Sequence, residues 1–322
     1  MPLPDLTDIE DAARIVSRAM LPTPQYNWPL LDAALGVETW VKHENHAPTG
    51  AFKVRGGLVY LERLLRREPG LPGVLAATRG NHGQSIAFAA RRHGVHATIV
   101  VPHGNSSEKN AAMRAFGATL VEHGADFQES REYALALAGR EALHMVPSFH
   151  PDLVAGVATG WLEFLRARPD LDVLLVAIGQ GSSFCAAAAA RAALGHKARL
   201  VGVVSAQAPA YSLSFRAGQA LAAPVTTVLA DGLACRVPDP LSLPFVLEQA
   251  DDVIAVDDTD VAQAMRLFYR CTHNLAEGAG AAALAGALQL RAAGKLDGVR
   301  VGVALTGGNV DAALFAPVLA GS

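Results

Sequence analysis

The sequence predicts an α/β fold with mainly parallel sheets. Short β-rich runs alternate with helical patterns along the chain of 322 residues, as is typical of strands joined by helical crossovers. Several predicted strands are apolar throughout, as expected where helices cover both faces of a sheet. Three glycine-rich turns follow predicted strands, which is where open parallel sheets bind their ligands.

The predicted strands and helices follow one another in a regular order. The strands are Thr39–His43, Gly73–Ala77, Ala97–Val101, Thr119–Glu122, Asp172–Ile178, Arg199–Val204, Val253–Val256 and Val299–Leu305. The helices are Asn81–His93, Ser107–Phe116, Phe127–Ala138, Val154–Arg166, Ser183–Ala193, Thr259–Thr272 and Ala279–Ala293. An earlier helix is expected to start at Thr7, because Glu10 stands three residues later in a capping-box pattern.

The composition indicates a compact globular protein and excludes several classes of partner. Hydrophobic residues make up 51% and charged residues 18% of the chain, which is typical of a folded enzyme. A net charge of −3 gives no reason to expect nucleic acid or an anionic membrane as a partner. The longest apolar runs are too short to cross a membrane, and the acidic N-terminus does not resemble a secretion signal. The three isolated cysteines predict no disulfide framework, so we expect a soluble protein of the reducing cytoplasm.

Lys53 is the best candidate for a catalytic residue. It lies between a Pro-Thr-Gly turn and the apolar helical run Leu58–Leu65, with Phe52 beside it. Burial or a nearby cation lowers the pKa of a lysine amine, which can then form a Schiff base with an aldehyde. The ring of Phe52 could pack against a flat cofactor. The segment therefore predicts covalent catalysis.

The turn Gly179–Ser183 follows a predicted strand and opens a predicted helix. Glycines allow close backbone approach, and the free N–H groups at a helix N-terminus form a cradle for an anion. Ser182 and Ser183 add hydroxyl donors, so a bound phosphate is expected, with an ordinary tight turn as the alternative. Phe184 occupies the sixth position of the dinucleotide fingerprint, and no Gly-Lys-Ser/Thr triplet follows. A nicotinamide dehydrogenase and a P-loop enzyme are therefore excluded.

Further polar side chains follow other predicted strands. In Thr78–Gly83, Asn81 could donate to a phenolate or carbonyl oxygen or cap a helix, and His82 could contact a substrate carboxylate or only pack. Thr306 ends the last strand and could face a heteroaromatic nitrogen. Glu277 precedes an alanine-rich helix whose dipole favours a carboxylate there, so its role could be structural or functional.

Taken together, these motifs resemble the fold-type II, or tryptophan synthase β-like, family of pyridoxal-phosphate enzymes. The resemblance extends over roughly residues 15–315 and points to the branch of threonine/serine dehydratases and serine racemase. The segments that carry it are Pro48–Gly56 (the lysine motif), Gly80–His82 (the Gly-Asn-His loop), Gly179–Ser183 (the tetraglycine phosphate loop), Glu277–Gly280 (Glu-Pro-Ala-Gly) and Thr306–Asn309 (Ser-Gly-Gly-Asn). The combination is specific for the cofactor and the fold and less specific for the substrate.

The resemblance implies a fold and a chain organisation. It predicts two open, mainly parallel sheets with helices on both faces. A large cofactor-binding domain would comprise residues 1–58 and 150–322, and a small mobile α/β domain would comprise residues 59–149. Because the family is often dimeric, a homodimer is expected.

The resemblance also implies the roles of individual residues toward pyridoxal 5'-phosphate. Lys53 would form the covalent imine with the cofactor, and Asn81 would bond the 3′-oxygen of its ring. The other cofactor contacts would be Gly179, Gly181, Ser182 and Ser183 at the phosphate, Thr306 at the pyridine nitrogen, and Phe52 and Gly232 at the ring. The substrate carboxylate would lie near Thr78, Arg79, Gly80 and His82.

The implied activity is that of an ammonia-lyase (dehydratase), which converts a β-hydroxy amino acid to a 2-oxo acid and ammonia. L-Threonine and L-serine are the expected substrates. A dehydratase of a modified amino acid, as in hydroxyectoine utilisation, stays an alternative, as does a racemase or β-replacement enzyme of the same fold. A non-catalytic binding protein is disfavoured because Lys53, Asn81 and Thr306 occur together.

The chain departs from the family pattern at several positions. Arg79 replaces a small residue, and its guanidinium has too high a pKa to exchange protons, which argues against racemisation. Val204–Ala210, where the family has its cation ligands, contains no carboxylate. His43 and His46 have the spacing of zinc ligands without a third ligand nearby, so no metal site is expected. The chain ends soon after the last motif, so feedback control by isoleucine is not expected.

Overall fold

The computed structural model describes residues 2–321, which form two sheets flanked by helices. The strands are β1 Gln25–Asn27, β2 Thr39–His43, β3 Gly73–Ala77, β4 His96–Val101, β5 Thr119–Glu122, β6 His144–Met145, β7 Val173–Ala177, β8 Arg199–Ser205, β9 Asp252–Val256 and β10 Val301–Leu305. The helices are α1 Leu6–Val16, α2 Pro29–Leu35, α3 Lys53–Arg67, α4 Asn81–Arg92, α5 Ser107–Ala115, α6 Phe127–Arg140, α7 Pro151–Ala167, α8 Ser182–Ala193, α9 Ala210–Ala217, α10 Leu243–Gln249, α11 Asp258–Thr272, α12 Gly278–Ala292 and α13 Ala312–Ala320.

The two sheets are almost entirely parallel. The larger sheet has the strand order β1-β2-β10-β7-β8-β9, and the smaller sheet has the order β5-β4-β3-β6. All neighbouring strands run parallel except β1 and β2. Parallel neighbours need long crossover connections, which the helices supply. The predicted α/β class with two mainly parallel sheets is therefore confirmed.

Helices bury both faces of the larger sheet. In β7, Leu175 packs into one apolar cluster with Phe268 of α11, whereas Leu174 packs into another with Phe164 of α7. Successive side chains of a strand point to opposite faces, so each cluster occupies one face. This two-sided burial is the reason that the sequence of the strand is apolar throughout.

The sequence analysis found the main elements but missed the short ones. Each predicted strand and helix is present, with ends that shift by up to three residues. It did not predict the short strands β1 and β6 or the helices α2, α9, α10 and α13. The smaller sheet lies within residues 59–149, and α3 runs without a break across residue 58. The domain boundaries themselves stay a prediction.

The predicted capping box at the first helix is wrong. Helix α1 begins at Leu6, and the carboxylate of Asp5 caps it by accepting the N–H of Asp8 at 2.9 Å. Thr7 therefore lies inside the first turn. Aspartate is a better cap than threonine, and the carboxylate of Glu10 pairs instead with Arg166 of α7.

Helix α12 packs against its neighbours through glycines and alanines. A Cβ on Gly278 would collide with the carbonyl oxygen of Leu229, and one on Gly280 would collide with that of Gly307. On the sheet side, a Cβ on Gly286 would come within 2.7 Å of a side-chain methyl group. The helix therefore lies against backbone on several sides, which only residues without large side chains allow.

A buried ion network anchors the first turn of α3, the helix that begins with Lys53. The guanidinium of Arg55 donates to Glu44 at 2.8 Å and to both oxygens of Glu163 at 2.8 Å. Lys42 donates to the same Glu163 carboxylate at 2.7 Å. Burial alone would raise the pKa of Glu44, but Arg55 outweighs it and keeps that pKa below its usual value. The two cations balance the two carboxylates, which is what permits their burial.

Candidate active site

The lysine segment and the glycine-rich turns meet in one place. The Lys53 amine donates to the Ser182 hydroxyl at 2.9 Å, which joins the lysine segment to the turn after β7. The amide of Asn309 donates to Asn81 Oδ1 and to the carbonyl oxygen of Thr49, both at 2.8 Å. Asn309 thereby joins the turn after β10 to the start of α4 and to the lysine segment. The structure brings these four segments together around a common site.

Lys53 begins α3 in a largely apolar setting. Its Nζ lies 5.0 Å from the centre of the Phe52 ring, and within residues 2–321 its one polar partner is Ser182. Burial lowers the pKa of the Lys53 amine to about 8. A lysine with such a pKa has a neutral fraction near physiological pH and can act as a nucleophile or a base.

Glycines shape the predicted phosphate loop. Gly181 has a φ of +92°, and a Cβ there would lie 2.5 Å from the side chain of Ser242. A Cβ on Gly179 would collide with the carbonyl oxygen of Gly232, so these two predicted site residues lie in direct contact. Helix α8 begins directly after the loop, at Ser182. The first N–H groups of a helix lack partners within the helix and attract an anion.

The predicted ring and pyridine contacts share one small cavity. Phe52, Ser183 and Thr306 line it together with Lys42 and Glu44 of the buried ion network. The N–H of Phe52 donates to the carbonyl oxygen of Thr306 at 2.9 Å, which fixes these two segments relative to each other. Lys42, in β2, and Glu44, just after it, were not predicted here, because nothing in their local sequence marks them as site residues.

The start of α4 holds Asn81 in a defined orientation. Gly80 is the residue that precedes the helix, so Asn81 does not cap it. The Asn81 amide donates from Nδ2 to Glu277 Oε1 at 2.6 Å, while its Oδ1 accepts from Asn309. The hydroxyl of Thr78 accepts the N–H of Gly80 at 3.0 Å and tightens the turn. An amide nitrogen carries two hydrogens, so the second N–H of Asn81 stays available to a ligand.

Arg79 provides donors, and His82 provides an unpaired ring nitrogen, at the same turn. His82 is buried, and its Nε2 has no hydrogen-bond partner within residues 2–321. Burial, with the nearby charge of Lys53, lowers the pKa of His82 to about 3, so the ring is neutral. Arg79 is exposed, and it has no hydrogen bond or ion pair in the described part of the chain. A free guanidinium at a helix N-terminus suits a carboxylate ligand.

Glu277 is the most perturbed acid of the site. It is buried, and burial raises its pKa to about 7 despite the opposing charge of Lys109. The Lys109 amine lies 3.8 Å from Glu277 Oε2 and donates to Asp231 at 2.7 Å. The sequence analysis left the role of Glu277 open and missed Lys109 and Asp231. Asp231 stands beside the predicted Gly232, and that neighbour was the one available signal.

The described residues contain no metal site of the usual kind. Among residues 2–321, no three His, Cys, Asp or Glu side chains are grouped so that they could hold a metal ion. His43 accepts the indole N–H of Trp28 at 3.0 Å, and His46 donates to Asn274 at 2.7 Å. None of the helices in this range is both long and apolar enough to cross a membrane.

This arrangement fits pyridoxal phosphate. The Lys53 amine has no carboxylate partner among residues 2–321 and suits the aldehyde, and the loop around Gly181 suits the phosphate. Phe52 offers an aromatic surface, and Thr306 offers a buried neutral hydroxyl. The individual roles of these residues stay predictions.

Comparison with known proteins agrees with this fit. The model of the family "Pyridoxal-phosphate dependent enzyme" matches residues 16–307. The chain is 37% identical to the L-threonine ammonia-lyase of Geobacter sulfurreducens over 280 residues, which cover 86% of this chain and 68% of that protein. It is 32% identical to the L-threo-3-hydroxyaspartate ammonia-lyase of a Pseudomonas species, over 100% of both chains. Maize serine racemase superposes with a TM-score of 0.91 at 26% identity, over 99% of this chain and 98% of that chain. The chain therefore belongs to the pyridoxal-phosphate dependent enzymes, in the fold-type II branch of threonine/serine dehydratases and serine racemase.

Proposed function

We propose that the protein is an ammonia-lyase that converts L-threonine or L-serine to the corresponding 2-oxo acid and ammonia. The observation that carries the proposal is the Lys53 amine, which is buried beside the predicted phosphate loop, has no carboxylate partner in the described part of the chain and has a pKa of about 8. The similarity to an L-threonine ammonia-lyase supports the reaction class.

The site residues divide the binding of cofactor and substrate among them. Gly179, Gly181, Ser182 and Ser183 hold the phosphate, Phe52 and Gly232 flank the ring, Thr306 faces the ring nitrogen, and Asn81 faces the 3′-oxygen. The turn formed by Thr78, Arg79, Gly80 and His82 binds the substrate: Thr78, Gly80 and His82 receive its α-carboxylate, and Arg79 is left for a second carboxylate on the side chain. The N-terminus of α4 adds its positive dipole end to that turn. These contacts orient the Cα–H bond for its removal.

Lys53 is the base of the proposed reaction. Bound pyridoxal phosphate supplies the electron sink for the negative charge that develops at the substrate Cα. The neutral amine of Lys53 accepts the Cα proton, and the β-hydroxyl leaves, so that the substrate loses one water. Hydrolysis of the enamine product consumes one water and yields the 2-oxo acid and ammonia. Because Thr306 is neutral, it provides no counter-charge for a protonated ring nitrogen, which favours elimination over reversible proton exchange.

A substrate panel tests the proposed function. The purified, cofactor-loaded protein is assayed for 2-oxo acid release from L-threonine, L-serine, their D-forms, threo-3-hydroxyaspartate and hydroxyectoine-derived amino acids. Turnover of L-threonine or L-serine supports the proposal. If only a larger or modified amino acid is converted, L-threonine and L-serine are rejected as substrates, and the ammonia-lyase reaction is retained. Interconversion of L- and D-forms without 2-oxo acid would reject elimination in favour of racemisation.

The phosphate loop gives a prediction about cofactor affinity. We expect Gly181→Ala to raise the dissociation constant for pyridoxal phosphate by about tenfold or more. The added methyl group must displace the side chain of Ser242, and the positive φ of residue 181 disfavours alanine. Absorbance titration of the cofactor-free protein measures the change. Gly195→Ala is the matched control, since Gly195 has a φ of +60° but nothing within 4 Å of an added Cβ. Equal affinities in the two variants would contradict the assignment of this loop.

A second substrate, L-threo-3-hydroxyaspartate, is favoured by the exposed and unpaired guanidinium of Arg79. That charge would bind the side-chain carboxylate, as the full-length similarity to an ammonia-lyase for this substrate also suggests. We expect Arg79→Gln to lower kcat/KM for this substrate by about 10- to 100-fold, which is the usual effect of losing one charged hydrogen bond. The value of kcat/KM for L-threonine should stay within about threefold of wild type. Arg131→Gln, at an exposed position of α6, is the control. Equal losses on both substrates would place Arg79 at the common carboxylate instead.

We also infer that the enzyme works as a cytoplasmic homodimer on small amino acids, without nucleic acid or membrane partners. The three cysteines are all free, as suits a reducing compartment. The dimer is inferred from the resemblance to a family that is often dimeric. Light scattering on the purified protein gives the oligomeric state, and a monomeric mass at working concentration would reject the dimer.

A further inference from the structure

Helix α5 connects two sides of the site. It follows β4 of the smaller sheet, and its first turn contacts two loops that belong to the layer of the larger sheet. Ser106 bonds the carboxylate of Asp311, and Glu108 accepts the N–H of Ala312 at 2.9 Å. Lys109 donates to Asp231, the residue beside Gly232, at 2.7 Å. Among these residues, Lys109 is the one that also contacts Glu277 and Gly80 of the candidate site.

Lys109 is held in place over the turn that starts α4. Its side chain is only 8% exposed. A Cβ on Gly80 would lie 2.6 Å from Cδ of Lys109, so the lysine stem packs directly on the Gly-Asn-His loop. Burial would lower the pKa of Lys109, but Glu277, Asp231 and Asp311 outweigh it and raise that pKa. Lys109 therefore stays charged at any pH at which the enzyme works.

A chain of contacts leads from Lys109 to Asn81. The Lys109 amine lies 3.8 Å from Glu277 Oε2, which has no other partner in the described part of the chain. The second oxygen of Glu277 accepts from Asn81 Nδ2 at 2.6 Å. An ionised carboxylate can only accept hydrogen bonds, so it dictates which atom of the Asn81 amide faces it. A protonated Glu277 could instead donate to Oδ1 and allow the amide to rotate.

We propose that Lys109 is a positioning residue, which acts through Glu277 to fix the orientation of Asn81 toward the cofactor. Because Lys109 belongs to α5 and also bonds Asp231, this orientation depends on the contact between α5 and the Asp231 segment. Removal of the lysine leaves Glu277 facing only Asp231, another acid, and Asn81. The pKa of Glu277, which is about 7 with the lysine present, then rises further, so the acid stays protonated to a higher pH and Asn81 loses its fixed orientation. The proposal depends on the cofactor of the family and is independent of which amino acid the enzyme converts.

The test compares Lys109→Met with Lys109→Arg. We expect Lys109→Met to raise the dissociation constant for pyridoxal phosphate by about tenfold, the effect of one charged hydrogen bond. The titration that Glu277 imposes on the cofactor absorbance should also move from near pH 7 in the wild-type protein to a higher pH. Lys109→Arg retains the charge and should stay within about threefold of wild type in affinity, with the titration near its wild-type pH. Lys295→Met, at an exposed position, is the control for loss of a lysine.

Lys109→Met in a Glu277→Gln background distinguishes a positioning role that acts through Glu277 from an unspecific effect on the structure. A glutamine amide carries no charge for Lys109 to stabilise, so Lys109→Met should then cost less than about threefold in affinity, and neither variant in this background should show the Glu277 titration. An equal loss in both backgrounds would overturn the proposal, as would wild-type affinity and an unchanged pH profile in the single variant. If Lys109→Met does not fold, Glu277→Gln alone decides. Its cofactor spectrum should be independent of pH near neutrality, and a titration there would reject the proposal.

Discussion

Replacement of Lys53 by alanine should lower 2-oxo acid formation by about a thousandfold or more. In the proposed mechanism Lys53 is both the amine that reacts with the cofactor aldehyde and the base that accepts the Cα proton, and each role contributes strongly to such reactions. The visible absorbance band of the bound cofactor should disappear as well. Stopped assays for 2-oxo acid and absorbance spectra of the loaded protein measure the two effects.

Two control variants define what the loss at Lys53 means. Lys197→Ala changes an exposed lysine and should leave both signals unchanged. Lys53→Arg keeps a positive charge without a nucleophilic amine and should be as inactive as the alanine variant. Retention of the visible band and of turnover in Lys53→Ala would show that another amine carries the chemistry, and the proposed function would have to be reassigned.

Replacement of Arg55 by leucine should destabilise the protein by about 3–5 kcal/mol, the usual effect of breaking a buried ion pair from one side. Arg55 is 0% exposed, and its removal leaves the carboxylate of Glu44, which is 4% exposed, without its main partner. The carboxylate must then become protonated or draw water into the core. Urea unfolding of the cofactor-free variant gives the change in the free energy of unfolding.

The control for Arg55 is a surface ion pair with the same residue types. Arg114 lies 3.4 Å from Glu122, and both side chains are about half exposed. Arg114→Leu should therefore cost less than about 1 kcal/mol. If the two arginine variants lost similar stability, the buried network would contribute nothing beyond an ordinary surface pair, and its effect on the start of α3 would need another explanation.

The strands could be predicted wherever their burial was uniform. The run at residues 173–177 is apolar throughout because both of its faces are covered, and such a run stands out in the sequence. Strand β1 has only half-buried or exposed side chains, and β6 has two residues. Such short strands depend on a neighbouring strand that offers hydrogen bonds, so their own residues carry little signal.

The site was predictable as far as its chemistry depends on local motifs. Lys53, Asn81 and Thr306 stand next to glycine-rich turns, which are visible in the sequence because glycine permits the backbone shapes that such turns need. Lys109 stands in the first turn of an ordinary amphipathic helix, and its partner Asp231 is 122 residues away in the chain. Such a pair forms only when two distant parts of the chain pack together, so no local sequence pattern indicates it.

The close packing of α12 has a consequence for the interpretation of mutational libraries. Any larger residue at Gly280 must push on Gly307, which belongs to the turn after β10, and a residue at Gly278 must push on Leu229 near the Asp231 segment. Because the helix is buried on several sides, the displacement is passed to the turn after β10 and to the Asp231 segment, which lie at the candidate site. A selection for activity would therefore score Gly278 and Gly280 as if they took part in the reaction, although the loss would come from displaced backbone. Only a parallel measurement of folded protein would distinguish the two groups.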